Sequence, residues 1–333
     1  MLALQEAGLY SARGQFYIDP WRAVKTAVIT HAHGDHATYG SQEYYCAEPC
    51  APLLQHRLGA TSQLRPIPYG EKFLLGGCQL SFHPAGHILG SAQVRVECGG
   101  EVWVVSGDYK RDHDPTCAPF EVVPCDTFIS EATFALPVYR WESGEEIARQ
   151  IFEWWQECKQ RKSTALLLCY SLGKAQRILA ELTRFTDEKA YLHGAAVELT
   201  DIYRRQGVKM LPTEKVSVED KAKVSDIYEG ALVLAPPSAA GSTWVKRFRR
   251  YEVGFASGWM RLRGKLKQKG YDRGFVLSDH ADWDSLVRTV HDTGARRVLL
   301  THGYSDALVR YLQEEGINAE ALHTHYHGEE EEG

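Results

Sequence analysis

The run TAVITHAHGDHA constrains this chain more than any other feature. In it His31, His33, Asp35 and His36 follow an apolar, strand-like segment at once, with the spacing H-x-H-x-D-H. Histidine is usually only partly buried, and aspartate is almost never buried without a partner. Three imidazoles and a carboxylate packed into six residues therefore have no ready structural explanation. What they share is nitrogen and oxygen lone pairs suited to Zn²⁺ or Mn²⁺. A loop leaving a strand can direct alternate side chains toward two neighbouring ions. Such a loop needs further ligands from elsewhere in the chain.

Candidates stand at the ends of other apolar segments. HPAGHILGSA offers His87, flanked by Gly86 and Gly90, which allow backbone to approach closely. VWVVSGDYK offers Asp108, and LLTHGYSD offers His302 in the same strand-then-loop position. Taken singly, each reads as an ordinary satisfied polar residue. Taken with the first motif, they complete two ligand sets.

The 333 residues are 44% hydrophobic and 24% charged, which excludes collagen-like, low-complexity and wholly disordered classes. Their number fits two domains, or one large domain with an insertion. No apolar run approaches the ~18 residues of a membrane helix. The opening MLALQEAGLYSARGQF has no basic segment leading into an apolar one, so no secretory signal and no membrane partner are expected. The eight cysteines (46, 50, 78, 98, 117, 125, 158 and 169) are scattered, which reads as reduced thiols in a cytoplasm. Cys46 and Cys50 lack the second pair that a four-ligand zinc site requires, and are expected to be structural.

Charge is unevenly divided. The formal total is −5, yet residues 244–273 hold ten basic side chains against two acidic ones, so this window carries +8 and the remainder −13. Such a block is either a local anion site or a solvated helix face. Trp244, Phe248, Tyr251, Phe255 and Trp259 are interleaved with it.

The segments 16–19, 26–30, 73–75, 79–83, 93–97 and 101–108 read as short strands bounded by Gly or Pro. From about residue 142 the texture changes. A helix over 145–162, a fully buried strand over 164–170, an amphipathic helix over 173–185 and a buried strand over 231–237 alternate as in a parallel α/β unit. After residue 274 short strands return, in GFVLSDH and RRVLLTHG around a helix at 284–293. Trp154 and Trp155 share helical spacing with Ile147 and Ile151, which favours core over a stacking platform. The final EEEE reads as a frayed tail.

HAHGDH, PAGHILGSA and SGDYK together resemble the signature of the metallo-β-lactamase fold superfamily. SEATF, YSLGKAQ, LSDHADW and LLTHG extend the resemblance to its β-CASP branch of DNA and RNA nucleases. YIDPW, SGDYKRDHDPTCAPFE, APPSAAGS, FASGWM and RGFVLSDHADW are similar to the bacterial ligase-associated DNA damage response exonucleases. The resemblance spans essentially the whole chain. It implies an α/β protein: a metallo-β-lactamase αββα sandwich from residues 1–140 and 278–333, with a β-CASP α/β domain, 141–277, inserted over the metal face.

Carried over by residue, it implies one divalent metal ion (Zn²⁺ or Mn²⁺) on His31, His33, His87 and a bridging Asp108. A second would sit on Asp35, His36, Asp108 and His302, with Asp19 orienting the ligands from behind. Asp35, Glu131 and His280 are the implied catalytic residues. Two cations roughly 3.5–4 Å apart can activate a water and clamp a phosphate, while His280, polarised by Glu131, protonates the leaving group. Ser238, Ser257, Gly258 and Lys174 are candidate phosphate contacts, with a solvated helix position the alternative for Lys174. Lys246, Arg247, Arg249, Arg261 and Arg263 are candidates for nucleic-acid binding.

The resulting expectation is a cytoplasmic DNA repair exonuclease working on single-stranded ends from a 5′-phosphate, associated with a DNA ligase and a helicase. His302 matches a position that is histidine in the RNA-processing members, so the alternative is a ribonuclease of the ribonuclease J or mRNA 3′-end-processing type. A small-molecule hydrolase would need neither the insertion nor the Glu131–His280 pair, and a scaffold would not need the full ligand set. His323, His325 and His327 match no motif and read as surface residues.

Overall fold

The computed structural model describes residues 1–217, 227–262 and 270–322, so Arg263, Lys265, Lys267, Lys269, His323, His325 and His327 lie outside the described residues. The protein is mixed α/β and divides into two compact units, Met1–Arg140 with the described residues from His280 onward, and Trp141–Asp279.

The first unit opens with a six-stranded sheet in sequence order: β1 (Leu2–Gln5), β2 (Gly8–Ser11), β3 (Phe16–Ile18), β4 (Thr26–Val28), β5 (Glu43–Ala47) and β6 (Leu64–Ile67). The first three strands are antiparallel and the rest parallel. Helix α1 (Ala51–Leu58) lies between β5 and β6. A second sheet starts with the antiparallel run β7 (Phe73–Leu75), β8 (Cys78–Pro84), β9 (Ala92–Cys98) and β10 (Glu101–Val105), to which β11 (Thr127–Glu131) adds in parallel.

The second unit follows its sequence pattern closely. Helix α2 (Gly144–Gln160) begins where Ser143 accepts a bond from the Glu146 N–H, with Glu145 and Glu146 at the positive end of the helix dipole. Its apolar stripe, Ile147, Ile151, Trp154, Trp155 and Cys158, is buried against β12 (Thr164–Leu168) and its neighbours. Every residue of β12 is buried, as a strand covered on both faces must be. Helices α3 (Lys174–Glu181) and α4 (Gly194–Arg205) alternate with β13 (Ala190–Leu192) and β14 (Thr213–Lys215). With β15 (Leu232–Ala235), β16 (Tyr251–Ala256) and β17 (Arg273–Phe275) they make an all-parallel sheet in the order β14-β13-β15-β12-β16-β17.

The chain returns to the first unit through α5 (Trp283–Thr293), β18 (Arg297–Thr301), α6 (Ser305–Glu314) and β19 (Asn318–Ala321). β18 and β19 extend the second sheet in parallel beside β11. No helix among the described residues is long and apolar enough to cross a membrane.

Several strands end earlier than their apolar runs suggest. β4 stops at Val28, β10 at Val105 and β17 at Phe275. After β4 and β17 apolar residues, Ile29 in the one case and Val276 and Leu277 in the other, continue into a loop that leaves the ladder, and after β10 the polar Ser106 and Asp108 stay buried outside it. Periodicity reports burial, and burial here outlasts strand pairing.

Trp155 is fully buried and donates its indole N–H to the Gly230 carbonyl over 2.9 Å. Trp155→Ala should cost about 3–5 kcal/mol through lost packing, read as a lower midpoint in urea unfolding.

Candidate metal centre

The candidate site lies wholly within the first unit, on loops that leave strand ends. His31, His33, Asp35 and His36 follow β4; His87 lies in the turn joining β8 to β9; Asp108 follows β10; Glu131 ends β11; His302 follows β18. Backbone hydrogen bonds tie these loops to one another. Ala92 N–H donates to Thr30 O (2.8 Å), Lys110 N–H to Ala85 O (3.0 Å) and Ala281 N–H to Tyr109 O (2.6 Å). The Ser91 hydroxyl accepts the His87 and Ile88 amides at 3.1 and 3.2 Å, which sets the His87 turn.

Close approach explains two glycines. A Cβ on Gly107 (φ +56°) would stand 2.6 Å from the Thr30 Cβ, and one on Gly90 (φ +77°) 2.2 Å from the Cys50 nitrogen. Only glycine fits that backbone conformation and that space together.

His31, His33, His87 and Asp108 offer ligand atoms that all lie within 4.8 Å of one another, and so do Asp35, His36 and His302. His31 Nε2 and His87 Nε2 each stand 3.1 Å from His33 Nδ1. Asp108 Oδ2 is 3.4 Å from His31, 3.8 Å from His87 and 3.5 Å from His36 Nε2, so this carboxylate also touches the second cluster. A tetrahedral cation with bonds of about 2.0–2.1 Å keeps its ligand atoms roughly 3.3 Å apart. The observed separations match that spacing, and the buried Asp108 Oδ1 has no hydrogen-bond partner among the described residues. The donor set fits divalent metal.

Protonation follows from burial and neighbours. Burial, with His36, His33 and His87 beside it, drives His31 well below the ordinary imidazole value. Burial takes His302 down to about 3. Both imidazoles therefore keep their lone pairs at neutral pH, as ligation requires. Burial also opposes charge on His36, but Asp35, Asp108 and Asp19 outweigh it and raise that imidazole to about 10. Burial lifts Asp108 to about 7.

Behind the cluster, Asp19 is buried after β3 and accepts His36 Nδ1–H at 2.8 Å, the Thr30 amide at 2.8 Å and the Thr30 hydroxyl at 2.5 Å. Asp19 and His302 both hold left-handed backbone, at φ +43° and +63°. Such conformations cost about 1–3 kcal/mol and persist where the surroundings over-determine them. Beside the cluster, His280 Nδ1 lies 2.7 Å from Glu131 Oε2, and Glu131 Oε1 accepts the Tyr109 amide at 2.7 Å. A carboxylate facing Nδ1 fixes the His280 tautomer with the proton on that nitrogen. Asp108, Glu131 and His280 also form a compact trio of ligand atoms.

Thr30 and the Tyr109 amide were not singled out from sequence. A threonine at a strand end and a backbone N–H carry no distinguishing mark there.

The expectation for Lys174 needs correction. It is fully buried in the second unit, 3.4 Å from Asp279 Oδ2 and over the Tyr170 ring, so it is neither a solvated helix residue nor placed to meet a phosphate. Ser257 is buried with its hydroxyl accepting the Trp259 amide, Gly258 is buried, and Ser238 is exposed. Lys246, Arg249 and Arg261 are exposed, whereas Arg247 donates to Trp244 O at 2.7 Å and Ser217 O at 3.3 Å. Phe248 and Trp259 are buried core and unavailable for stacking.

No protein-family model matches the chain. A protein named as a probable DNA ligase from Opitutus terrae is 30% identical over 317 residues, covering 95% of this chain and 30% of that one. An RNase J-like protein from Methanocaldococcus jannaschii is 24% identical over 231 residues, covering 60% of this chain and 54% of that one. An endoribonuclease, YSH1 of Gibberella zeae, is 28% identical over 141 residues, 41% of this chain and 16% of its own. These relatives, a protein named as a probable DNA ligase and proteins named as ribonucleases, are in keeping with the motif resemblance to the β-CASP nucleases. The chain spans under a third of the length of its Opitutus relative and about half that of the Methanocaldococcus one. A solved structure of a protein of unknown function from Enterococcus faecalis shares the fold, with a TM-score of 0.61 over 90% of this chain and 79% of that one at 10% identity.

Asp19→Ala should leave secondary structure unchanged and weaken Zn²⁺ binding about 10–100-fold, measured by competition with a fluorescent chelator.

Proposed function

We propose that this protein is a metal-dependent β-CASP nuclease, a DNA exonuclease digesting single-stranded ends from a 5′-phosphate in DNA repair. The observation that carries this reading is the meeting of two lone-pair clusters at Asp108 beside the hydrogen-bonded Glu131–His280 pair. On this reading the two sheets of the first unit are the αββα sandwich, and residues 141–277 are the β-CASP insertion.

His31, His33, His87 and Asp108 would hold one divalent ion, and Asp35, His36, His302 and Asp108 the other. When bound, Zn²⁺ or Mn²⁺ supplies Lewis-acid relief of phosphate charge and an acidified water. The chain's own residues do the rest. Asp19 locks the His36 ring by accepting a hydrogen bond from its Nδ1–H, so Nε2 faces Asp108. Glu131 stabilises His280 as imidazolium, and its Nε2 proton goes to the departing oxygen. The exposed Lys246, Arg249 and Arg261 neutralise backbone phosphates in the second unit.

Similarity to the Opitutus protein named as a probable DNA ligase, across 95% of this chain, supports DNA as substrate and a working association with a ligase, while the helicase association rests on the motif resemblance alone. The second reading, an RNA-processing nuclease, is favoured by His302 within the cluster and by relatives named RNase J-like and endoribonuclease.

The test is end-labelled single-stranded DNA, matching RNA and a chromogenic lactam, each with Mn²⁺ or Zn²⁺. Processive shortening of 5′-phosphorylated DNA is expected, and Asp108→Ala should abolish it together with bound metal. His280→Ala should keep its metal and lose about 10²–10⁴-fold in kcat. Faster cleavage of RNA than DNA selects the second reading; cleavage of the lactam alone refutes both.

A further inference from the structure

Two cysteines face each other across β8 and β9. β8 opens on Cys78 and β9 closes on Cys98. The antiparallel register that sets Gln79 opposite Glu97 sets Cys78 opposite Cys98. Each also borders a two-residue turn: Gly76–Gly77 joins Leu75 to Cys78, and Gly99–Gly100 joins Cys98 to Glu101, with both flanking pairs in register. Residues flanking a two-residue hairpin turn exchange backbone hydrogen bonds with each other. The peptide groups of Cys78 therefore face β7 and those of Cys98 face β10, leaving Cys78–Cys98 as a non-hydrogen-bonded pair. Such pairs hold Cα atoms about 4.5 Å apart with side chains close. That separation lies inside the ~4.4–6.8 Å range a disulfide accepts.

The side chains agree with this placement. Cys98 Sγ stands 3.5 Å from the carbonyl of Gly77, the residue before Cys78, and Ser11 Oγ stands 3.7 Å from Cys78 Sγ. Both thiols are free; Cys78 is 1% exposed and Cys98 9%. Burial, and the Cys98 thiol within hydrogen-bonding reach, hold the Cys78 thiol above its ordinary value. Cys98 is thus the entry point and Cys78 the resolving partner.

We propose that Cys78 and Cys98 form a reversible dithiol modification site, closed to a disulfide by a small-molecule disulfide. The Cys98 thiolate attacks one sulfur of the reagent, forming a mixed disulfide and releasing one small thiol. The Cys78 thiolate then attacks the Cys98 sulfur, forming the protein disulfide and releasing the second small thiol. The cysteines give up two electrons and two protons; the reagent is reduced to two thiols. The new bond closes the segment that carries His87, and so restricts the unfolded chain. This inference stands apart from the nuclease reading.

The whole protein is incubated with oxidised glutathione, its thiols are counted in denaturant, and non-reduced peptides are mapped by mass. The eight free thiols should fall to six, with one linkage joining Cys78 and Cys98 and a raised melting temperature, all reversed by dithiothreitol. Cys78→Ser should retain a glutathione adduct on Cys98, and Cys98→Ser should carry no modification at Cys78. Eight thiols surviving treatment, or a linkage such as Cys46–Cys50, would overturn the proposal, and the wild-type map alone is sufficient to show either.

Discussion

Crowding of lone pairs around Asp108 is the constraint on which the candidate site depends. A buried carboxylate is expensive unless paired, and here it is surrounded by imidazoles whose own burial opposes positive charge. Without a cation the cluster can be neutral only by sharing protons. His36 is raised to about 10 among three carboxylates, Asp108 is raised to about 7, and His31 and His302 are held neutral. A divalent ion would replace those protons with charge, so its binding should be coupled to proton release.

That crowding is tolerated because the loops have little freedom. Thr30, Ala85 and Tyr109 each lend a carbonyl to the next loop in the circuit, so the His31, His87, Asp108 and His280 segments are stitched together through backbone. Asp19 adds a buried carboxylate that engages both Thr30 and His36. The left-handed backbone at Asp19 and His302 fits the same picture: strain at the site is carried by the sheets behind it. A small cavity of about 20 Å³ borders His36 and His302, with Leu9, Ile18 and Val105 among its apolar lining.

The second unit shows the same physics applied to a different end. Lys174 and Arg177 are buried with Asp279, the residue before His280. The Arg177 guanidinium also donates to the Ser278 carbonyl over 2.7 Å. In sequence Lys174 is one more cation near a helix start, and nothing distinguishes an internal ion pair from a phosphate contact. The aromatics interleaved with the basic block pose the same difficulty. Phe248 and Trp259 are core and Tyr251 is exposed, because the block is split between short helical turns and a strand rather than lying on one helix face.

Local pattern was enough for the elements whose burial is periodic or complete. The stripe of α2 and the all-apolar β12 could be read directly, and so could the H-x-H-x-D-H run, because six adjacent residues carry its chemistry. Strand ends at Val28 and Phe275 could not, since apolar character continues past the last paired residue. Amino-acid types by themselves determined which atoms can donate lone pairs and where strands would deliver them. Only the tertiary structure decided that His87, Asp108, Glu131, His280 and His302 share one small volume, that Thr30 and the Tyr109 amide are their partners, and that Lys174 is spent internally. The physical reason is distance along the chain: contacts between residues tens to hundreds of positions apart are set by sheet register and loop-to-loop hydrogen bonds, which no local window contains.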